Sequence, residues 1–420
     1  MLAANLREAF SQQEVARIAS GNSAFDTVEY NGVIHTYKYD LYPTVTTLHV
    51  FRDFMAEKTD KIRATILIPA GDYYSYMAKE TDHIQMSLTR KNSSGNNYTT
   101  TYKLFILSPI FKNPQMSTLT HDELNQQLVE IEVQLLDMFY YEYRNLFTSG
   151  VFQKQKLGNI LPTLMTNVNS NDKHSFYITS TTNPRVYENI VITTGTRLLD
   201  LPAYLHNRYG LYNGEPNSYV LGLGKHHAIY VYPLISKTYT SDYELVILDG
   251  ANILNTSASN RFIVEDNIVS ILAVSVMSSD FKQKNSAIHG NAVVVTTDET
   301  HFNRSVSTSS SEVKVDKSNL TESLINEDMV DNTSQIRYKS GLNPHQARAE
   351  ILAGRGNYYT VTCTHLDLNL FKPNLKVTIH TTEDNKVVKL LGTLHIVEMS
   401  HSNRSQGGWF TLKVFVTDRL

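Results

Sequence analysis

The run LGLGKHH (residues 221–227) puts two glycines, a lysine and two histidines close together. Glycine followed by lysine is how a phosphate-binding loop ends, where backbone N–H groups cradle an anion. That loop needs its first glycine where this chain has Tyr219. Gly222-Leu223-Gly224 also lacks the third glycine of a dinucleotide fingerprint, and it precedes a strand-like run rather than a helix. Fifteen histidines raise the question of a metal. His-Glu-x-x-His is absent, and His226 and His227 are adjacent, so on a strand they point to opposite faces. His365 with Asp367, or His380 with a neighbour, could share a strand face, and surface histidines explain them equally well. The lone cysteine, Cys363, lies in the strand-like run Tyr358–Thr364 with no His–acid pair nearby to activate it, so it reads as a small buried hydrophobe. A nucleophile elbow, G-x-S-x-G, does not occur. Glu130, Glu132 and Asp137 read as the solvated face of a helix rather than a glycosidase pair. No catalytic, cofactor-binding or metal-ligating residue is assigned, and no enzyme is expected.

The elements around these residues are mostly strands. From Phe25 to Phe111, apolar and polar residues alternate in five or six runs. Asn31-Gly32 inside FDTVEYNGVIHTYKYD predicts a hairpin turn. A second hairpin is expected across the polar stretch NSSGNN, between Ile84–Leu88 and Tyr102–Ile106. The period then changes. Thr120 and Glu123 form a capping box, and Leu124, Leu128, Ile131, Leu135 and Met138 predict one long helix to about Phe147. LGNILPTLMTNV predicts a shorter helix. A third starts at Leu201-Pro202 after Asp200, with Arg208 in its last turn and Gly210 as terminator. SFYITS, ENIVITT, HHAIYVYPLI, YELVILDG, IVSILAVSVM and NAVVVTTDE read as strands. Residues 303–335 are rich in Ser, Thr, Asn and Asp and read as a polar connection, with one short helix near Leu320–Ile325. NPHQARAEILA reads as a helix, and strands resume from Tyr358 to the end.

Composition narrows the function class. A chain that is 41% hydrophobic and 19% charged can bury large cores, and a net charge of −3 offers no basic surface for nucleic acid. With one cysteine there is no internal disulfide, which suits a reducing compartment. MLAANLREAFSQQEVARIAS lacks the apolar core of a secretory signal and spaces Leu2, Leu6 and Phe10 as an amphipathic helix. No window suits a transmembrane helix, so no membrane partner is expected.

The order of parts resembles the baseplate hub proteins of contractile phage tails, relatives of the spike-bearing proteins of contractile secretion systems. The resemblance is carried by Leu370-Phe371-Lys372-Pro373-Asn374-Leu375-Lys376-Val377, by Gly392–His401, by the closing W-F-T-L from Trp409, and by Tyr209-Gly210-Leu211-Tyr212. It implies an α+β, mostly β fold: two tail-tube-like β-barrel blocks with a mixed α/β middle region. The expected division is an N-terminal amphipathic helix (1–20), a first barrel (21–115), a helical connection (116–180), a mixed middle (181–302), a polar linker (303–340) and a second barrel (341–420). It further implies a homotrimeric ring in the virion baseplate, adapting a sixfold tube to a threefold spike carried on a separate chain. Tail tube, central spike and other baseplate proteins would be its partners, with DNA only in transit through the lumen and synthesis in the host cytoplasm. A virion-associated cell-wall hydrolase and another baseplate component, a wedge or tube initiator, are the alternatives.

On this reading the sites are interfaces. There are 25 tyrosines against 16 phenylalanines, and Tyr joins an apolar ring to a polar tip. Tyr230, Tyr232, Tyr239 and Tyr243 are candidate partner contacts, as are Leu2, Leu6 and Phe10. The final strand alternates Phe410, Leu412, Val414 and Val416 with polar residues, and Trp409 and Phe415 on its other face are further candidates. That strand is expected to be paired to its end, so that deleting Trp409–Leu420 abolishes folding or assembly.

Overall fold

The computed structural model describes residues 28–78, 84–92, 98–107, 127–167, 174–212, 214–223, 226–234, 243–249, 262–265, 268–278, 291–297, 304–308, 334–338, 357–364, 366, 368–383, 386–404 and 407–419. The first block holds β1 (Val28–His35), β2 (Asp40–Leu41), β3 (Thr44–Asp53), β4 (Lys61–Pro69), β5 (Gln85–Asn92), β6 (Tyr98–Ile106) and β7 (Leu128–Asp137). The middle holds α1 (Met138–Tyr143), β8 (Phe147–Lys156), α2 (Leu157–Asn167), β9 (His174–Ile178), β10 (Val186–Arg197), α3 (Leu201–Tyr209), β11 (Pro216–Leu223) and β12 (His226–Pro233). Then come β13 (Glu244–Asp249), β14 (Phe262–Glu265), β15 (Ile268–Ala273), β16 (Ser275–Ser278), β17 (Asn291–Thr297), β18 (Arg304–Thr308) and β19 (Ser334–Tyr338). The last block holds β20 (Asn357–Thr364), β21 (Lys376–Glu383), β22 (Lys386–Ser402) and β23 (Gly407–Arg419). Among the described residues, no helix is long and apolar enough to cross a membrane.

The fold is α+β and mostly β. One 15-stranded sheet carries both outer blocks. Its first half runs β3-β4-β7-β6-β5-β1-β2, and its second half gathers β13, β15, β16 and β20–β23 around β22. The halves are joined by strand pairing. The long β22 holds β21 along its first part, turns its second part (Ile396–Ser402) to β3, and is flanked by β23 from Leu390 onward. In the second half β15 pairs with β13 and β16 with β20, either side of a bend at Val274. The circuit is completed only through that bend. Among the described residues β1 and β3 of the first half are not paired with each other, so strand pairing alone closes a barrel in neither half. The expectation for the final strand's pairing holds: β23 lies between β20 and β22.

At the open seam the side chain of Asn403 stands in for a strand. Its Oδ1 accepts the Tyr30 N–H at 3.1 Å. Its Nδ2 donates to the carbonyls of Tyr30 at 2.8 Å and Val45 at 2.7 Å. Two carbonyls facing one amide nitrogen fix the orientation of the group. The Asn403 backbone N–H also donates to the Thr46 carbonyl.

The middle region packs a second core. Phe139 and Tyr143 of α1, Leu157, Ile160 and Leu161 of α2, and Leu201 and Leu205 of α3 meet Ile190 and Ile192 of β10. Strand β12 divides its side chains by the period of two: Ile229 and Val231 enter this core, while Ala228, Tyr230 and Tyr232 enter the main one. α3 begins with Pro202 in its first turn and ends at Gly210 with φ 75°, as its sequence signals require, although Asp200 makes no side-chain capping bond.

Three expectations are corrected. Asn31-Gly32 is not a turn: β1 runs straight through and pairs Gly32 with Leu88. A Cβ at position 32 would meet the Met86 side chain and lie 3.2 Å from Val45 Cγ2, so the glycine sits in close packing against both. The long helix toward Phe147 is, from Leu128, a strand followed by the six-residue α1 and then β8. Val129, Ile131, Val133 and Leu135 alternate, and β7 is enclosed by β4 and β6, which suits β-branched residues. Residues 303–335 are not wholly a linker, since β18 and the start of β19 pair with β17. The capping box at Thr120, the helices expected near 320–325 and in NPHQARAEILA, and the N-terminal helix lie outside the described residues.

Candidate functional site

The feature with the densest chemistry is a junction where three parts of the chain meet. Its centre is the β3–β4 loop, residues 54–60. Leu48, Val50 and Arg52 share one parity of β3, so Arg52 points inward with the core residues. Its side chain is 2% exposed. Nε donates to both oxygens of Asp60, each at 3.0 Å. Nη1 donates to the carbonyls of Leu368 at 2.7 Å and Phe371 at 2.9 Å, in the last block. The Tyr219 hydroxyl, from the middle region, donates to Asp60 Oδ1 at 2.7 Å. Burial works against both charges. For Arg52 burial is the largest single influence and lowers its pKa, but the Asp60 charge and hydrogen bond together with the neighbouring Tyr219 and Tyr102 hold the guanidinium above its ordinary range. Burial, together with the Asp60 charge, pushes the Tyr219 phenol well up, so it stays a donor.

The loop backbone is satisfied by side chains from the other parts, as buried peptide groups require. Asn217 Nδ2 donates to the Phe54 carbonyl at 2.8 Å and the Glu57 carbonyl at 3.1 Å. Tyr232 O–H donates to the same Phe54 carbonyl at 2.7 Å. Lys58 Nζ donates to Asn217 Oδ1 at 2.9 Å. Phe54 N–H donates to the His395 carbonyl at 2.9 Å, and Val220 N–H to the Lys58 carbonyl at 2.8 Å. Asn374, beside the acceptors of Arg52, takes the left-handed φ of 53°, which asparagine tolerates. The phrase Leu370–Val377 thus shapes the turn that receives Arg52.

His395 closes the junction on the β22 side. Its ring stacks on Phe415 at 5.2 Å and an interplanar angle of 6°. A carbonyl can only accept, so Nε2–H donates to Leu234 at 3.2 Å and Nδ1 accepts from Tyr358 O–H at 3.0 Å. Burial lowers its pKa from 6.5 to about 4. His401, on the same strand, is also lowered by burial, against a hydrogen bond to Asn403. A histidine depressed on folding contributes stability that is complete above about pH 6.5 and is lost as pH falls toward 4. Unfolding free energy is therefore expected to drop by about 3 kcal/mol across that window from His395 alone. Urea midpoints at pH 7 and pH 4 check this, and a His395→Gln variant should show a shallower dependence.

A small cavity, about 40 Å³, adjoins the junction inside the first half, lined among others by Arg52, Asp60, Arg90, Tyr102 and Asp137. Asp137 is not on a solvated helix face as its sequence context suggested. It is buried at the end of β7, and its Oδ1 accepts the Tyr140 N–H at 2.9 Å to cap α1. Its Oδ2 is 3.3 Å from His227 Nδ1. Among the described residues, no three His, Cys, Asp or Glu side chains are grouped as metal ligands. Cys363 is buried in the main core, as its sequence context implied.

The expected partner contacts divide. Tyr230 and Tyr232 are core residues, corrected from interface candidates. Tyr230 stacks on Tyr177 at 4.9 Å, and Tyr232 holds the junction loop. Tyr243 is half-buried and donates to the Leu370 carbonyl at 2.6 Å. Phe415 is 3% exposed and packs on His395 and Tyr358, so this chain covers it. Trp409 is 58% exposed on β23. Leu2, Leu6, Phe10 and Tyr239 lie outside the described residues. Arg52, Asp60, Asn217, His395 and Asn403 were missed. For Arg52 a signal existed: a cation two residues on from Leu48 and Val50, on the same strand face.

No family profile matches the chain, and no curated protein matches it in sequence. A solved structure shares its fold, and others resemble it more loosely. The 43 kDa tail protein of prophage MuSo2 from Shewanella oneidensis superposes with a TM-score of 0.50 at 9% identity, over 92% of this chain and 96% of that one. A tail protein from Neisseria meningitidis MC58 gives a TM-score of 0.49 at 10% identity, over 92% and 96% of the two chains. An E. coli component of the type VI secretion system gives 0.45 at 9% identity, over 91% of this chain and 76% of that one. The fold argument rests on the first of these. The chain has the fold of a prophage tail protein along nearly its whole length.

Proposed function

We propose that this chain is a structural protein of a contractile-tail baseplate, acting at the hub as a homotrimeric ring between a sixfold tube and a threefold spike. The observation that carries the reading is the full-length likeness to the prophage MuSo2 tail protein, covering 92% of this chain and 96% of that one. The junction supports it. Its buried groups tie the outer halves and the middle into one body, as a load-transmitting ring subunit requires, and they present no nucleophile or acid–base pair to a substrate. Tail tube, central spike and other baseplate proteins are the proposed partners, and the virion tail is the proposed location. Trp409 is the proposed contact on the second half, since an exposed tryptophan is a strong candidate for an interface anchor.

Native mass spectrometry of the full chain tests this. A mass three times that of the chain is the expected result, and Trp409→Ala is expected to weaken the trimer at least tenfold. A monomer at every concentration would overturn the proposal.

A further inference from the structure

The two-stranded ribbon β8–β10 stands apart from the main sheet, and its two outer edges are treated differently. The edge of β10 is sealed by two tyrosines of α3. Tyr209 O–H accepts the Val191 N–H at 2.9 Å, and Tyr204 O–H donates to the Val191 carbonyl at 3.0 Å and accepts the Thr193 N–H at 3.2 Å. Both backbone groups of Val191 therefore face α3, so its pairing with Val151 is of the non-hydrogen-bonded kind. It follows that Phe152 and Gly150 bond to β10, while the N–H and C=O groups of Ser149, Val151 and Gln153 point outward. Among the described residues, β8 pairs only with β10. Val151 is 63% exposed and Val191, directly opposite it, 38%, forming an apolar step on the outer face.

An open, partly apolar edge is a template for another strand, and proteins usually block such edges, as α3 does for β10. The charge on the ribbon indicates what fits. Its two strands carry Lys154, Lys156 and Arg197 against Glu188, on a chain whose net charge is −3. A second copy joined through the same edge would bring two cationic ribbons together. An extended segment with acidic residues at one end is complementary.

We propose that the outer edge of β8, Phe147–Gln153, accepts an extended acidic strand from another protein by β-augmentation. Main-chain bonds at Ser149, Val151 and Gln153 hold it, and Lys154 and Lys156 pair with its carboxylates. This does not rest on the baseplate reading.

The test uses the full chain and a fluorescein-labelled peptide of alternating valine and threonine ending in two aspartates, followed by anisotropy. Saturable binding is expected. Val151→Pro should weaken it at least tenfold without changing the melting temperature, because the Val151 N–H takes no part in the internal ladder. A peptide N-methylated at alternate amides, and one ending in two lysines, should each bind wild type at least tenfold more weakly. The methylated peptide decides the matter should Val151→Pro fail to fold. Absence of saturable binding, equal binding by a folded Val151→Pro chain, or equal binding of the methylated peptide would overturn the proposal. A fall in native mass caused by Val151→Pro would also overturn it, by making a second copy the occupant.

Discussion

Arg52→Ala is expected to destabilise the protein by about 3–5 kcal/mol, a large part of the roughly 5–15 kcal/mol typical of a folded domain. The cost comes from what is left behind. Asp60 stays buried with only the Tyr219 hydroxyl for company, and the carbonyls of Leu368 and Phe371 lose their donor. Unpaired buried groups cost more than the pair contributed while intact. The double variant Arg52→Met, Asp60→Leu should therefore be more stable than Arg52→Ala, since it removes both charges, yet less stable than wild type because the two carbonyls remain unbonded. Urea denaturation at pH 7 reads all three. A double variant no more stable than Arg52→Ala would show that Asp60 is not the group left stranded.

Asn403→Ala is expected to cost about 2–4 kcal/mol, because it strips the carbonyls of Tyr30 and Val45 and the N–H of Tyr30 of their partner at once. Asn403→Asp separates the roles: a carboxylate can still accept from Tyr30 N–H but can donate to neither carbonyl. It should be at least as damaging as alanine at neutral pH, since its charge then faces two carbonyl oxygens. Amide hydrogen exchange gives the local signature. Protection at Tyr30 should fall in Asn403→Ala more than protection in β4 and β7, which lie inside the sheet and away from the seam. Equal loss everywhere would mean that Asn403 acts on global stability and not on the seam.

Much of the architecture was legible because it depends on period. Val397, Met399 and His401 of β22 and Phe410, Leu412 and Val414 of β23 alternate with more exposed residues, and the strands expected from YELVILDG and HHAIYVYPLI are β13 and β12. The region from Leu128 misled because its apolar residues satisfy two periods. Ile131 and Leu135 are four apart, as on a helix face, yet with Val129 and Val133 they also alternate. Only the neighbours β4 and β6 decide, and they are more than twenty residues away in sequence. The junction was less legible for the same reason. Arg52 meets acceptors 316 and 319 residues distant, and Asn403 meets Tyr30 373 residues away. No local pattern encodes such partners. The tyrosine run on β12 was correctly singled out as unusual, but its function is inward. Tyr232 supplies a hydroxyl to a buried carbonyl rather than a ring to a partner.

Electron microscopy of the purified full chain tests the central claim most directly. The account predicts ring-shaped class averages with threefold symmetry and a central opening. Single particles of one chain, without symmetry and with no opening, would contradict it.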